Sequence, residues 1–134
     1  MELIECNKEY WEFVRTLRND DQVQNGFIET IEITSEMQNA YMNKYSDCYR
    51  IALIEIHTGD SLHLVPAGFV GVIDDDIRVC TVPEFQGMGI GKFMINECMK
   101  LWPNAFAKVK INNEASKKLF KACGFKEKFI IFEQ

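Results

Sequence analysis

Histidine, paired cysteine, basic excess and long apolar runs are what this sequence has little of, and each shortage removes a class of function. There are two histidines, His57 and His63, and five cysteines, Cys6, Cys48, Cys80, Cys98 and Cys123. The cysteines are scattered and odd in number, with neither C-x-x-C nor zinc-ligand spacing, so no metal centre and no disulfide framework are expected. Lys and Arg total 15 against 20 Asp and Glu, a net charge of −5. That balance argues against a nucleic-acid partner, which needs a clustered basic surface. No apolar run approaches membrane-spanning length, and Met1-Glu2-Leu3-Ile4-Glu5 carries neither a basic n-region nor an apolar h-region. No membrane partner is expected, and the expected location is cytoplasmic. Repeats, linkers and low-complexity tracts are also missing. The 134 residues, 47% of them hydrophobic, read as a single domain over 1–134.

What is present is a series of periodic segments in which helices alternate with strands only in the second half. Residues 3–6 suit a short strand. Tyr10, Phe13, Val14 and Leu17 recur at helical spacing before Arg18-Asn19-Asp20-Asp21 breaks the pattern. Residues 27–33 fit a helix or an extended stretch equally well. Thr34 or Ser35 then offers a capping oxygen to a helix whose stripe includes Met37, Ala40, Tyr41 and Tyr45. Strands are expected over 49–56, 65–73 and 77–82, with Thr58-Gly59-Asp60-Ser61 and Asp74-Asp75-Asp76 as turns, an antiparallel meander. A helix over 90–102, stopped by Pro103, leads to an expected strand over 106–111, parallel to and beside 77–82. Asn112 or Asn113 caps a helix carrying Ala115, Leu119, Phe120 and Cys123, closed by Gly124, and residues 129–132 read as a last strand. The expected fold is α/β, a single mixed, mainly antiparallel sheet with flanking helices.

The most informative stretch is Gln86-Gly87-Met88-Gly89-Ile90-Gly91, between a strand and a helix. A glycine-spaced turn opening a helix leaves backbone N–H groups unshielded and suited to phosphate oxygens. It has neither the G-x-G-x-x-G order of a dinucleotide turn nor the G-x-x-x-x-G-K-[ST] of a P-loop. It closely resembles the pyrophosphate-binding turn of the GNAT superfamily, the acyl-coenzyme-A-dependent N-acyltransferases: Arg or Gln, two residues, Gly, one residue, Gly or Ala. Val82-Pro83-Glu84-Phe85 resembles the lead-in to that turn. The run Val109 to Phe125, with Asn112-Asn113-Glu114 opening a helix and Gly124-Phe125 closing it, resembles the superfamily's downstream motif.

That resemblance implies a GNAT-like fold, acetyl-CoA as cofactor and N-acetyl transfer to the primary amine of a small-molecule or peptide acceptor. The pyrophosphate is expected at Gln86, Gly87, Met88, Gly89, Ile90 and Gly91, with Lys92 at their edge. Pantetheine and acetyl are expected along Thr81 and Val82, where the resemblance implies that residues 78–82 splay from 106–111 and leave backbone groups to the thioester, with Asn113 against the pantetheine arm and Ser116 or Lys117 nearer the phosphoadenosine. The expected oxyanion donor is a backbone N–H near Thr81 or Val82, with Val82 carried in the catalytic set. The tyrosine that many members use as acid corresponds to Phe120, which has no proton to give. Glu84 and Asp76 flank the strand as carboxylates able to act through water. Cys80 lacks the histidine partner a nucleophile needs. For the acceptor, Arg18, Glu29 and Tyr41 are the candidates. The phrase around Arg18-Asn19-Asp20 and Thr34 to Tyr41 resembles members acting on nucleotide-linked amino sugars and, loosely, on protein amino termini. A polyamine acetyltransferase and a non-enzymatic acyl-CoA-binding regulator are the alternatives. Because one strand follows Gly124-Phe125 where the superfamily commonly has two, a homodimer covering the sheet edge is also expected.

Overall fold

A computed structural model describes residues 1–24, 26–28 and 31–134. Four strands, β1 (Glu2–Glu5), β2 (Tyr49–Thr58), β3 (Ser61–Ile73) and β4 (Asp76–Thr81), form one antiparallel sheet in the order β1-β2-β3-β4. Helices α1 (Trp11–Asn19), the one-turn α2 (Asp21–Gln24) and α3 (Ser35–Tyr45) lie between β1 and β2 in sequence, and α4 (Ile90–Leu101) and α5 (Glu114–Ala122) follow β4. None of the described helices is long and apolar enough to cross a membrane.

Strand alternation divides the sheet into two cores. Ala52, Ile54, Val70, Val72 and Ile77 face Ile90, Met94, Ile95 and Cys98 of α4 and Phe120 of α5. Ile51, Leu53, Phe69 and Cys80 face Trp11, Val14 and Leu17 of α1 and Met42 of α3. Each fully buried aliphatic of α4 contributes about 1.5–3 kcal/mol to holding that helix on the sheet. Phe93, Met99 and Trp102 are partly buried against the same face.

The helix caps follow the side chains present. Thr34 accepts from the Met37 N–H at 3.2 Å, and Asn113 accepts from the Ser116 N–H at 3.1 Å. Gly124, at φ 89°, ends α5 in the left-handed conformation that favours glycine. Between β3 and β4, Asp74 and Asp75 both have positive φ, 51° and 65°, so the hairpin closes through a two-residue loop of the type I′ kind.

Two expected strands are not found. Of residues 106–111, only Phe106 pairs, in an isolated parallel bridge to Asp76. Among the described residues, the sheet is therefore mixed through that bridge alone. Residues 129–132 join no strand, and Phe129, Ile130, Ile131 and Phe132 stand 68–91% exposed. Of the ambiguous stretch 27–33, the described residues take up neither helix nor strand.

Candidate active site

The glycine turn ends in the start of α4. Gly89 caps this helix at φ 81°, and Gly87 stands at φ 83°, both in the left-handed region. A Cβ at either would meet nothing within 4 Å, so their faces look outward. Gly91 is needed for a different reason: a Cβ there would lie 3.0 Å from the Leu119 side chain, so its absence lets α5 pack close to α4. Thr81 Oγ1 is 3.7 Å from the same point, which brings the end of β4, the start of α4 and α5 together.

α4 differs electrostatically from its neighbours. α3 and α5 each have a side-chain cap and an acidic residue in the first turn, Glu36 and Glu114. α4 has no side-chain cap and no acidic residue in its first turn. Its first N–H groups carry the positive end of the helix dipole and find no acceptor within the helix. Gln86, Gly87, Met88 and Lys92 are exposed around that end, while the Ile90 side chain is in the core and offers only its amide. The Lys92 charge also partly offsets the upward push that burial gives the Cys123 thiol at the end of α5.

β4 supplies the second element. The Val82 N–H donates to the Ala67 carbonyl of β3 at 2.8 Å. It is therefore already used, and the oxyanion role expected of Val82 is corrected by this bond. In an antiparallel ladder the bonded direction alternates residue by residue. With Val82 facing inward, Cys80 and Arg78 do so too, and the N–H groups of Ile77, Val79 and Thr81 point to the outer edge. Ile77 follows this parity, since its N–H donates to the Phe106 carbonyl at 2.9 Å. Beyond that bond, among the described residues, no backbone hydrogen bond joins Val79 or Thr81 to the segment after Phe106. The edge opens as a wedge with the Val79 and Thr81 amides facing into it.

Across the wedge, Asn113 both caps α5 and donates from Nδ2 to the Gly26 carbonyl at 3.3 Å, so its side chain ties α5 to the amino-terminal half. Ser116 is half-buried, with its N–H already held by Asn113. Phe120 is buried and packs edge-on against Phe125, ring centroids 5.2 Å apart. It is a core residue with no polar atom to offer.

The remaining candidates divide by position. Glu84 is exposed in the single helical turn that follows β4, next to the glycine turn. Asp76 is at the opposite end of β4, where it lies 3.8 Å from Lys108. At roughly 3.3 Å per residue, the length of β4 separates it from Thr81. Arg18 and Tyr41 belong to the face covered by α1 and α3, the face that also holds Cys80. Burial pushes the Cys80 thiol up to about 12, with Asp20 adding to the push and Arg18 opposing it. At neutral pH that thiol stays protonated, which suits a packing role. Glu29 lies outside the described residues. The residues that sequence reasoning passed over are Val79, whose amide the pairing parity turns outward, and Tyr49, whose hydroxyl is 2.7 Å from that of Tyr41. The signal for Val79 was the two-residue Asp74-Asp75 loop, which fixes the parity of the ladder.

An uncapped helix start, set beside a strand edge whose free amides face an open wedge, defines a protein suited to a phosphorylated cofactor with a reactive carbonyl. Residues 51–127 match the family model described as Acetyltransferase (GNAT) domain, more than half of the 134-residue chain, and the chain belongs to that family. It is an acetyl-CoA-dependent N-acyltransferase by family. Among curated protein sequences there is no significant match.

Solved structures agree on the fold. A spermidine N-acetyltransferase from Vibrio cholerae, in complex with CoA and spermine, superposes with a TM-score of 0.78 at 19% identity, covering 99% of this chain and 85% of that one. A ribosomal-protein-alanine N-acetyltransferase from Brucella melitensis gives 0.74 at 15% identity, covering 96% and 86%. A domain from Methanocaldococcus jannaschii gives 0.76 at 19% identity, covering 95% and 88%. The nucleotide-linked amino-sugar acceptor suggested by the sequence around Arg18 to Tyr41 gains no support from these comparisons.

Proposed function

We propose that this protein transfers the acetyl group of acetyl-CoA to the primary amine of a small-molecule or peptide acceptor. The observation that carries the reading is the start of α4, without side-chain cap or first-turn acid, beside the outward amides of β4. In this reading the amides from Gln86 to Gly91, with Lys92, hold the pyrophosphate, and the thioester lies in the wedge along Thr81 and Val82. Asn113 borders the pantetheine arm, and Ser116 lies toward the phosphoadenosine.

The chemistry needs a neutral amine nitrogen in line with the thioester carbon. Attack places negative charge on the carbonyl oxygen, which the Thr81 N–H stabilises in place of Val82, while the Val79 N–H, roughly 6.6 Å away along the strand, faces the wedge out of reach of the same oxygen. Collapse expels the coenzyme A thiolate, and the proton lost by the amine balances the one the thiolate gains. Glu84, acting through water, is the proposed proton acceptor. Asp76, held beside Lys108 at the far end of the strand, has a structural part in this scheme.

Thiol release from acetyl-CoA, measured across polyamines, amino acids and short peptides with free amino termini, tests the reading. Turnover with at least one amine class is expected. Tight CoA binding with no turnover on any amine would instead favour the regulator reading, to which the hydroxyl-free Phe120 is suited.

A homodimer belongs to the same proposal. Phe129 and Phe132 are each 91% exposed, with Ile130 at 76% and Ile131 at 68%. Soluble proteins rarely leave such a run uncovered. Covered by a second copy, these side chains from both chains would bury on the order of 1,000 Å², enough for a specific interface. Small-angle scattering is expected to return twice the 15.5 kDa chain mass, and a monomer at all concentrations would count against it.

A further inference from the structure

On the face covered by α1 and α3, one row of residues crosses the sheet: Tyr49 of β2 pairs with Gly71 of β3, and Gly71 pairs with Arg78 of β4. Residues so aligned project to the same face. Gly71 has no side chain there, and a Cβ in its place would lie 2.6 Å from the Tyr49 ring. The Tyr49 ring therefore lies across β3 and fills the space between β2 and β4.

Tyr49 is fully buried, and its hydroxyl is 2.7 Å from the hydroxyl of Tyr41, its hydrogen-bond partner among the described residues. A buried O–H that donates to nothing is costly, whereas the half-buried Tyr41 can direct its proton elsewhere. Tyr49 is therefore the donor and Tyr41 the acceptor, which leaves the Tyr41 proton for a ligand.

Arg78 closes this row on β4, and Arg18 stands in the last turn of α1, the helix that packs on the same face. The charges of Arg18 and Arg78 both oppose the upward push that burial gives the Tyr49 phenol. Arg18 also bears on Cys80, two residues along β4 from Arg78. Among the described residues neither arginine enters a salt bridge. Among the described residues, the carboxylate that bears on Cys80 is Asp20, which also accepts from the Gln22 N–H at 2.9 Å to start α2. Two guanidinium forks and a phenolic O–H make a set of donors, which suits an oxyanion and repels a second cation.

We propose that Arg18, Arg78 and the Tyr41 hydroxyl form an oxyanion subsite for the acceptor on the sheet face covered by α1 and α3, so that the amine acetylated here carries a carboxylate or phosphate. Tyr49 is a positioning residue that aims the Tyr41 proton. This rests on the reading that the thioester lies along β4, and it sets the acceptor apart from a polyamine.

The test compares matched amines in the acetyl-CoA-loaded protein: L-lysine against cadaverine, and O-phosphoethanolamine against ethanolamine. The oxyanion-bearing member of at least one pair is expected to have a kcat/KM higher by about tenfold or more, the effect of one or two charge-assisted hydrogen bonds. The pair that responds distinguishes carboxylate from phosphate. Arg78→Gln, an exposed position, is expected to bring that ratio close to one. Tyr49→Phe is expected to raise KM for the preferred amine severalfold with kcat held, because Tyr41 is then free to turn. Preference for cadaverine and ethanolamine, an unchanged ratio in Arg78→Gln, or no turnover of any oxyanion-bearing amine would overturn the proposal. Coenzyme A affinity, measured by calorimetry on the same preparations, separates the outcomes. Its loss in the unmodified protein counts against the cofactor reading, whereas altered amine preference at constant affinity concerns this subsite alone.

Discussion

Gly89→Asp is expected to weaken coenzyme A binding by a hundredfold or more while the protein stays folded. Gly89 stands at φ 81° at the start of α4. A side chain there costs about 1–2 kcal/mol in backbone strain. It meets no atom within 4 Å, so it adds no clash. The larger effect is charge. A carboxylate at the helix start competes for the amides that would hold the pyrophosphate, and it repels the ligand's own oxygens. At about 4 Å and an effective dielectric near 20, one such repulsion is worth about 4 kcal/mol. Gly89→Ala separates the two contributions, since it imposes the strain without the charge and should cost about tenfold or less. Calorimetric titration with coenzyme A measures both. Equal affinity in folded Gly89→Asp would remove the pyrophosphate from this turn.

Thr81→Pro should lower kcat by about 10²–10³ with little loss of coenzyme A affinity, the usual cost of removing one oxyanion donor. Proline removes one N–H, and the pairing parity turns the Thr81 N–H away from β3. The ladder is therefore spared, which is the situation in which an edge strand tolerates proline. The contrasting variant is Val82→Pro, because the Val82 N–H donates to the Ala67 carbonyl at 2.8 Å. That change should reduce thermal stability by removing a ladder bond. Full activity in Thr81→Pro together with loss of chemistry in a stable Val82→Pro would return the oxyanion role to Val82.

Much of this arrangement is legible in the sequence, for reasons that differ by element. α3 and α5 announce themselves by capping side chains, Thr34 and Asn113, and by apolar residues three and four apart. The glycine turn is legible because left-handed backbone at Gly87 and Gly89 and close helix packing at Gly91 both demand glycine. Residues 106–111 carry the apolar character of a strand, yet only Phe106 pairs. Periodicity reports which residues can line a sheet, and it does not report whether the neighbouring strand diverges. The same holds for residues 129–132, whose apolar character is evident although they take no place in the sheet.

The misassignment of Val82 has a sharper cause. Whether an amide faces the sheet or its open edge depends on the parity of the ladder, and composition is blind to parity. Asp74 and Asp75 fix it through their two-residue loop, with Ile73 and Asp76 as the closing pair. Counting along β4 from that pair turns Val79 and Thr81 outward. The Tyr49–Gly71–Arg78 row was out of reach for a related reason: it depends on the register of three strands, including the shift between Ala52 and Leu53.

The central claim is that the uncapped start of α4 and the open edge of β4 together hold acetyl-CoA. A crystal structure of the protein with coenzyme A tests it most directly. Pyrophosphate oxygens are expected within about 2.7–3.2 Å of the amides between Gln86 and Gly91, with the pantetheine running along the outer edge of β4 at Thr81. Coenzyme A bound with its pyrophosphate away from that turn, or with the β4 edge closed by another strand, would contradict the account.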